Sequence, residues 1–356
     1  MALRKAPVTS ARPARECTLS IRLLWPFARI ALGNPELVGP LMVAIDRLGI
    51  GATDFVNPEI RLPHRAVMTL LQQLVDVSGD PSMGLRAGCG VETGDFDALE
   101  YAARCGVDLR DAIGCMIRYM NLVNEAALVA LREEGDRAIW EFRITDGVTQ
   151  VPAANDFVVA TAMTLARMYA DIPEVSPEVA LEVHLMHAQP TDPSGYARVF
   201  GDNVKLGMPE NAWVFPRSLL AVPMRLADPN VHLAFETRAK ELAERLRGQQ
   251  GVAGRAREIV FAHLRAGDAS MASVARSMAM SVATLRRRLE AEGTTHSEIL
   301  DRVRQDLAMI YLSESRLSVR EIAFLLGYSQ SRAFHNAFRR WTAGSTPVDY
   351  RTKHQK

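Results

Sequence analysis

Residues 317–341 read LSVREIAFLLGYSQSRAFHNAFRRW, and their pattern sets the architecture expected of the C-terminal part of the chain. Ile322, Ala323 and Leu326 make one side of a short helix apolar. Gly327 marks a tight turn, and a second helix is predicted to start after Ser329. In that helix Phe334, Phe338 and Trp341 recur at spacings of four and three, which gives it a buried stripe. Arg332, His335, Asn336, Arg339 and Arg340 lie off the stripe. Two short helices crossing at a tight turn, the second presenting basic and amide side chains, is the build of a helix-turn-helix reader of the major groove. A helix pair in a dimerisation bundle shows the same apolar pattern, so the surrounding sequence has to discriminate.

It does so by repeating the unit. Residues 271–293 read MASVARSMAMSVATLRRRLEAEG. Val274, Ala275 and Met278 form the core side of a first helix, and Ala279–Ser281 form the turn. Ser281 is the expected N-cap of a second helix, with Val282, Leu285 and Leu289 expected inside. Ala283, Thr284, Arg286, Arg287 and Glu290 face outward, and Gly293 stops the helix. The two expected caps, Ser281 and Ser329, are 48 residues apart. Between the units residues 298–312 read as one long helix, apolar at Ile299, Val303, Leu307 and Ile310. Ahead of them residues 255–264 form a helix with Ile259, Val260 and Leu264 inward, and Asp268 or Ser270 starts the next. Two readers held by a stiff helix can enter successive major grooves, about 34 Å apart. Arginine pairs bidentately with guanine and asparagine with adenine. The remaining arginines and the N–H groups at helix starts would hold phosphates.

Charge agrees. The net charge of +1 is unevenly spread: residues 251–356 hold 17 Lys/Arg against 10 Asp/Glu, and residues 1–250 hold 25 against 31. A basic C-terminal part on an acidic body points to a polyanionic partner for the former alone. A length of 356 residues suits two domains, with room for a third small one, and a composition 48% hydrophobic and 23% charged is that of a soluble, core-forming chain. The Gly-rich stretch 248–254 is the expected linker. The organisation read is a disordered basic arm (1–20), an α+β domain (21–248), a linker (249–253), an all-α domain with two helix-turn-helix units joined by a long helix (254–351), and a tail (352–356). The four cysteines, Cys17, Cys89, Cys105 and Cys115, show no CxxC spacing, which suits a reducing compartment. Cys17, in the leading arm, is the one expected to be exposed. The apolar run 21–30 contains Arg22 and Arg29 and is too short for a membrane span, so a cytoplasmic protein with no membrane partner is expected.

The N-terminal half reads as helices followed by strands. Helical spacing links Val38, Leu41, Met42, Ile45 and Leu48, then Val67, Leu70, Leu71, Leu74 and Val75 over 65–77. Helices are also predicted over 99–104 and 109–119, the latter started by Asp108 or Asp111 with Ile113, Met116, Ile117 and Met120 inward. Residues 137–146 and 179–186 alternate as strands. An apolar helix spans 157–169 and a short one 196–200. Residues 204–206 and 212–215 read as strands joined by a hairpin-like turn at Pro209–Asn211. A helix follows Pro229, apolar at Phe235, Ala239, Leu242 and Leu246. Catalytic patterning is absent: there is no GxSxG frame at Ser194 and no phosphate loop at Gly201. His184 and His187 belong to a strand in which they would point to opposite faces, so no metal site and no cofactor is expected. An internal apolar pocket for a small molecule is one reading of this half, and a plain packing or dimerisation domain is the other. An enzyme fused to a DNA-binding module is the remaining rival, and it lacks a reactive cluster.

The motifs resemble the C-terminal signature of the AraC/XylS family of bacterial transcription regulators. The residues concerned are Ile322-Ala323, Gly327-Tyr328-Ser329, Phe334, Ala337 through Trp341, Pro347 and Tyr350-Arg351. Val274-Ala275, Met280-Ser281, Thr284-Leu285, Arg287 through Leu289, Glu292-Gly293, Arg304, Ala308 and Tyr311-Leu312 match as well. More loosely, Leu62-Pro63, Gly84 through Gly88, Leu99 through Ala102, Tyr196 through Gly201, Leu219-Leu220 and Pro223 resemble the subgroup with an arabinose-binding-like sensor domain, as in ornithine-utilisation regulators. The resemblance implies an effector-responsive activator that binds a double-stranded DNA operator, forms a homodimer, and contacts RNA polymerase. A ligand-independent repressor or an architectural DNA-binding protein is the alternative. Base contact would fall to Ala283, Arg286 and Arg287 in the first unit and to Ser331, Arg332 and Asn336 in the second. Backbone contact would fall to Ser281, Thr284, Arg288, Ser329, His335, Arg339 and Arg340. A carboxylate effector would want an arginine at the pocket wall, such as Arg118 or Arg143; an apolar one would need only aromatic and methionine lining. Two departures stand out. Asn336 occupies a place where the family often has arginine, and the stretch from Trp341 to Pro347 is one residue longer than usual.

Overall fold

The computed structural model describes residues 17–354 apart from 52–54, 56, 58, 147, 149, 173–181, 190–191, 266 and 315–316. Residues 1–16 of the expected arm, the first three of the strand expected at 179–186, and residues 355–356 of the tail lie outside the described residues.

Strand β1 (Thr18–Ser20) precedes helices α1 (Trp25–Leu32) and α2 (Pro35–Arg47), and pairs antiparallel with β2 (Arg61–Pro63). Helices α3 (His64–Ser78), α4 (Met83–Cys89), α5 (Asp97–Arg104) and α6 (Leu109–Tyr119) follow. Asp108, not Asp111, caps α6: its carboxylate accepts from the Asp111 N–H at 2.9 Å. Then come β3 (Ala127–Glu134), β4 (Arg137–Ile144), α7 (Pro152–Tyr169), β5 (Glu182–Leu185), α8 (Pro193–Phe200), β6 (Val204–Leu206) and β7 (Asn211–Pro216). Five of these strands form one sheet in the order β3-β4-β7-β5-β6, antiparallel except for the β5–β6 pair.

One strand was not expected from the sequence, and one strand expectation needs correction. β3 has the Ala, Leu, Arg and Glu content of a helix and gives no period-two signal; its pairing with β4 over eight residues overrides that propensity. The hairpin expected at 204–215 does not form, because β5 lies between β6 and β7. The link between them steps across the end of β5, where the Met208 N–H donates to Leu185 O at 3.0 Å.

One face of the sheet carries α7, with Val159, Ala160 and Met163 fully buried. Helix α4 lies so close on α7 that a Cβ at Gly84 would fall 1.9 Å from the Ala153 carbonyl oxygen, which accounts for glycine in that segment. Inward-facing expectations fail at Met42 and Ile117, which are 45% and 43% exposed, since the faces of α2 and α6 are narrower than their apolar spacing suggests.

Helix α9 (Pro229–Arg265) is interrupted at Gly251, whose φ of 74° and ψ of −171° are non-helical. Its first part buries Ala239 and Ala243 in the N-terminal core. Its second part begins a separate core with Ala256, Val260, Phe261 and Leu264. The stretch read as linker is therefore helical on both sides of one kinked glycine. Glu292 fastens the restart: its carboxylate accepts from the N–H groups of Val252 (2.7 Å) and Ala253 (2.8 Å).

The remaining helices are α10 (Met271–Ser277), α11 (Val282–Ala291), α12 (His296–Glu314), α13 (Val319–Leu325), α14 (Ser331–Trp341) and α15 (Pro347–His354). Leu285 and Leu289 of α11, Val303 and Leu307 of α12, and Phe334 and Phe338 of α14 share one core. Phe338 meets Trp341 and Tyr350 edge to face, with ring centroids 6.2 and 5.5 Å apart.

Candidate nucleic-acid interface and interior cavity

The two helix-turn-helix units are α10–α11 and α13–α14. Matched serines start both first helices: Ser270 accepts from the Ser273 N–H, and Ser318 forms a capping box with Glu321. The turns match too, since Ala279 and Gly327 both have positive φ, +52° and +70°. The second helices start differently. Ser281 caps α11 by accepting from the Thr284 N–H at 3.1 Å. Ser329 does not cap α14; Gln330 occupies that position and no side chain bonds the first turn. The Ala333 N–H there donates to Gln330 O at 3.1 Å, and the N–H groups ahead of it face no capping side chain.

Ala283, Arg286 and Arg287 are all exposed on α11, beside Ser281 and Arg288. Val282, expected inside, is 37% exposed, because a first-turn position points past the core. On α14, Arg332, Asn336 and Arg339 are exposed, and Ser331 and His335 are half-buried. Arg340 is exposed as well, but its guanidinium is held by both carboxylate oxygens of Asp301 on α12, at 2.8 and 2.9 Å. Asp301 also accepts from the Trp341 indole at 3.0 Å. Arg340 thus braces α14 against the connecting helix. A further brace is Arg304, which the match to the family included without a role. Its Nε donates to Leu326 O at 2.9 Å, its Nη2 reaches Gly327 O at 3.3 Å, and its guanidinium lies over the Tyr328 ring. Nothing but its location on the long helix could have revealed that role in the sequence.

A cavity of about 130 Å³ lies in the N-terminal domain, between α5, α6, α7 and the sheet. Met116, Met120, Phe142, Phe157, Leu165 and Met224 are among its apolar walls. Its polar lining is Glu100, Arg104, Asn124, Trp140, Thr161, Tyr169 and Trp213. Neither arginine expected at a pocket wall lines it. Arg118 pairs with Glu236 of α9 at 2.7 Å. Arg143 is buried between Glu141 (3.2 Å) and Glu210 on the opposite side of β4, where Arg132 also pairs with Glu141. The alternation of β4 thus hid a buried ionic layer on the face that reads as solvent-exposed.

That layer sits against the C-terminal domain. Arg143, Ile144, Met186 and Asn211 line a small cleft together with Leu307, Ile310 and Tyr311 of α12. The long helix between the two units therefore rests on the second face of the sheet whose first face walls the cavity.

Other polar clusters are occupied. His184 pairs with Glu182 on β5. His187 lies beyond the strand, buried, 2.7 Å from the Tyr196 hydroxyl, and burial pushes it down to about 4. Asp111, Cys115 and His232 bring potential metal ligands within 4.8 Å of one another. The Arg118 guanidinium already stands there, 3.3 Å from the Cys115 sulfur, and burial pushes that thiol up to about 12. Cys89 is the exposed cysteine; Cys17 is half-buried against Arg257. No helix among the described residues is long and apolar enough to cross a membrane.

A family model described as the arabinose-binding domain of AraC transcription regulators, N-terminal, matches residues 43–224, and a helix-turn-helix domain model matches residues 274–353. The chain is 32% identical over 296 residues to the ornithine utilization regulator of Pseudomonas aeruginosa, covering 83% of this chain and 86% of that one. It is 28% identical over 270 residues to the HTH-type transcriptional regulator VqsM of the same organism, covering 74% and 82%. The crystal structure of the transcriptional regulator CdpR from Pseudomonas aeruginosa aligns with 24% identity and a TM-score of 0.41 over 88% of this chain and 97% of that one. The chain belongs to the AraC/XylS family: it is a sequence-specific DNA-binding transcriptional regulator with an arabinose-binding-like N-terminal domain and a C-terminal helix-turn-helix domain.

Proposed function

We propose that the protein is an effector-responsive activator that reads two successive major grooves with α11 and α14. The observation that carries this reading is the single core shared by α11, α12 and α14, which holds two exposed basic helices on one frame. Base contact is assigned to Ala283, Arg286 and Arg287 and to Ser331, Arg332 and Asn336. Phosphate contact is assigned to Ser281, Thr284, Arg288, Ser329, His335 and Arg339, with Arg340 mainly bracing. The division of labour is a 21–248 domain that senses and dimerises and a 254–351 domain that binds operator DNA, hinged at Gly251. The exposed apolar residues of α9, Leu233 above all at 63%, suit the dimer surface. RNA polymerase is the partner that activation requires.

The effector is placed in the interior cavity, and α12 on the opposite face of the sheet is the route to the readers. Ornithine, named for the Pseudomonas relative, does not suit this chain's cavity. Glu100 is the one acidic residue among the described lining residues. Its carboxylate is taken by the Gly94 and Phe96 N–H groups and the Tyr169 hydroxyl, at 2.8–3.1 Å. Footprinting the full-length protein on DNA flanking its gene tests the proposal. Two protected patches one helical turn apart are expected, and a single patch would refute the two-groove reading.

A further inference from the structure

Four buried polar atoms without a hydrogen-bond partner belong to residues on the wall of the N-terminal cavity: Trp140 Nε1, Trp213 Nε1, Arg104 Nε and Thr161 Oγ1. Native proteins leave few such atoms, so four on one wall need an explanation. Three are donors only, and the fourth is a hydroxyl that can donate. Apart from that hydroxyl, the acceptor side chains on the same wall are already used. Glu100 is filled as described, Asn124 Oδ1 accepts from the Ala126 N–H at 2.9 Å, and the Tyr169 hydroxyl bonds Glu100 and Thr93, each at 2.8 Å.

The two indoles are paired by the fold. Trp140 and Trp213 are direct cross-strand partners of β4 and β7. Directly opposed residues share a face, with Cβ atoms about 4.5–5.5 Å apart. Trp140 is 1% and Trp213 4% exposed, so water does not reach them readily. The rest of the wall is apolar, and the space of about 130 Å³ is close to the roughly 150 Å³ of an apolar protein cavity that takes up benzene.

We infer that the cavity binds an apolar molecule of about one aromatic ring in bulk, bearing a carbonyl or carboxylate oxygen that accepts hydrogen bonds from the Trp140 and Trp213 indoles. This rests on the cavity being the effector site of the proposed function, and it narrows the effector class. A sugar does not fit, because its several hydroxyl donors would find only the Thr161 hydroxyl left to accept among the polar side chains of the wall. A cationic amino acid does not fit, because the one carboxylate is committed.

The test is a titration of the full-length protein with acetophenone, benzoate, toluene, L-arabinose and lysine, followed by tryptophan fluorescence and thermal shift. Saturable binding of acetophenone or benzoate is expected, at least tenfold tighter than toluene, with no shift from arabinose or lysine. Acetophenone alone binding assigns the oxygen to a neutral carbonyl, and benzoate alone to a carboxylate. Trp140→Phe and Trp213→Phe keep a ring and remove the N–H; each should weaken the oxygen-bearing ligand five- to tenfold and leave toluene unchanged. Binding of arabinose or lysine with none from the aryl compounds overturns the inference, as does an equal loss of toluene and acetophenone affinity in both variants. So does failure of both aryl compounds to bind. A footprint run with the bound ligand separates the two readings. A ligand that binds as described without altering the footprint or transcription removes the effector role and leaves the ligand class standing. Arabinose altering the footprint does the reverse.

Discussion

Arg257 stands 3.2 Å from Asp306, and the same guanidinium donates to the carbonyl of Thr145 and lies 3.3 Å from the Cys17 sulfur. One side chain on the second part of α9 thus ties the connecting helix α12 to the chain just after β4 and to the start of the described N-terminal domain. Arg257→Ala would leave Asp306 without its ion-pair partner and cut both links to the N-terminal domain. A loss of about 2–4 kcal/mol is expected from breaking a pair this buried. Urea unfolding of the full-length protein measures it. Arg257→Lys should recover part of the loss, since it keeps the charge but not the fork that serves several acceptors at once.

Asp306 itself gives a pH prediction. Burial pushes its carboxyl up to about 6 from an ordinary value near 4, even with Arg257 beside it. The folded chain therefore binds this proton more tightly than the unfolded chain does. The associated stability is fully present below about pH 4 and is lost as pH rises from there through about 6. In Asp306→Asn this part of the profile should be absent. Chemical denaturation at intervals between pH 4 and 7 should show a shallower decline for the variant than for the parent, and identical slopes would refute the assignment.

The arginines of the readers are expected to separate by role. Arg287→Ala and Asn336→Ala should each remove a proposed base contact, and a loss of about 1–3 kcal/mol at one operator position is expected from each. The first unit should carry more of the specificity, because α11 presents two candidate base-reading arginines and α14 carries asparagine at a position often held by arginine. An equal or larger loss from Asn336→Ala on a mapped operator would refute that ranking. Arg339→Ala should weaken binding to all sequences and lower the salt slope by about one. Arg340→Ala should change the slope less and stability more, because Asp301 already holds that guanidinium.

The sequence was most informative where local period and packing agree. Val274, Ala275, Met278, Leu285, Leu289, Ile322, Ala323, Leu326, Phe334 and Phe338 are all buried, as their helical spacing demands. It was least informative where partners distant in sequence decide. β3 became a strand because β4 pairs with it, against its own composition. Glu141 and Arg143 look like the wet side of a half-buried strand and are instead 1% and 4% exposed, because Arg132, Glu210 and α12 converge on them. The cavity was one of two readings of the N-terminal half, with either an arginine such as Arg118 or Arg143 at its wall or an aromatic and methionine lining. Its two indole N–H groups depend on the register of β4 against β7, which neither strand's pattern reveals alone.

The turn of the first unit holds a residue that costs stability. Ala279 sits at φ +52°, the left-handed region, while the equivalent position of the second unit, 48 residues on, is Gly327. A left-handed alanine carries a penalty of roughly 1–2 kcal/mol from its Cβ, part of which glycine returns as greater freedom of the unfolded chain. Ala279→Gly should therefore raise stability by about 0.5–1 kcal/mol. Gly327→Ala should lower it by more, since its Cβ would also stand 3.4 Å from Arg304 and Leu264 atoms already in place. Thermal unfolding of both variants decides this. A fall in stability for Ala279→Gly would mean that the alanine methyl supplies packing worth more than the strain it carries, and the turn of the first unit would then owe its shape to that contact.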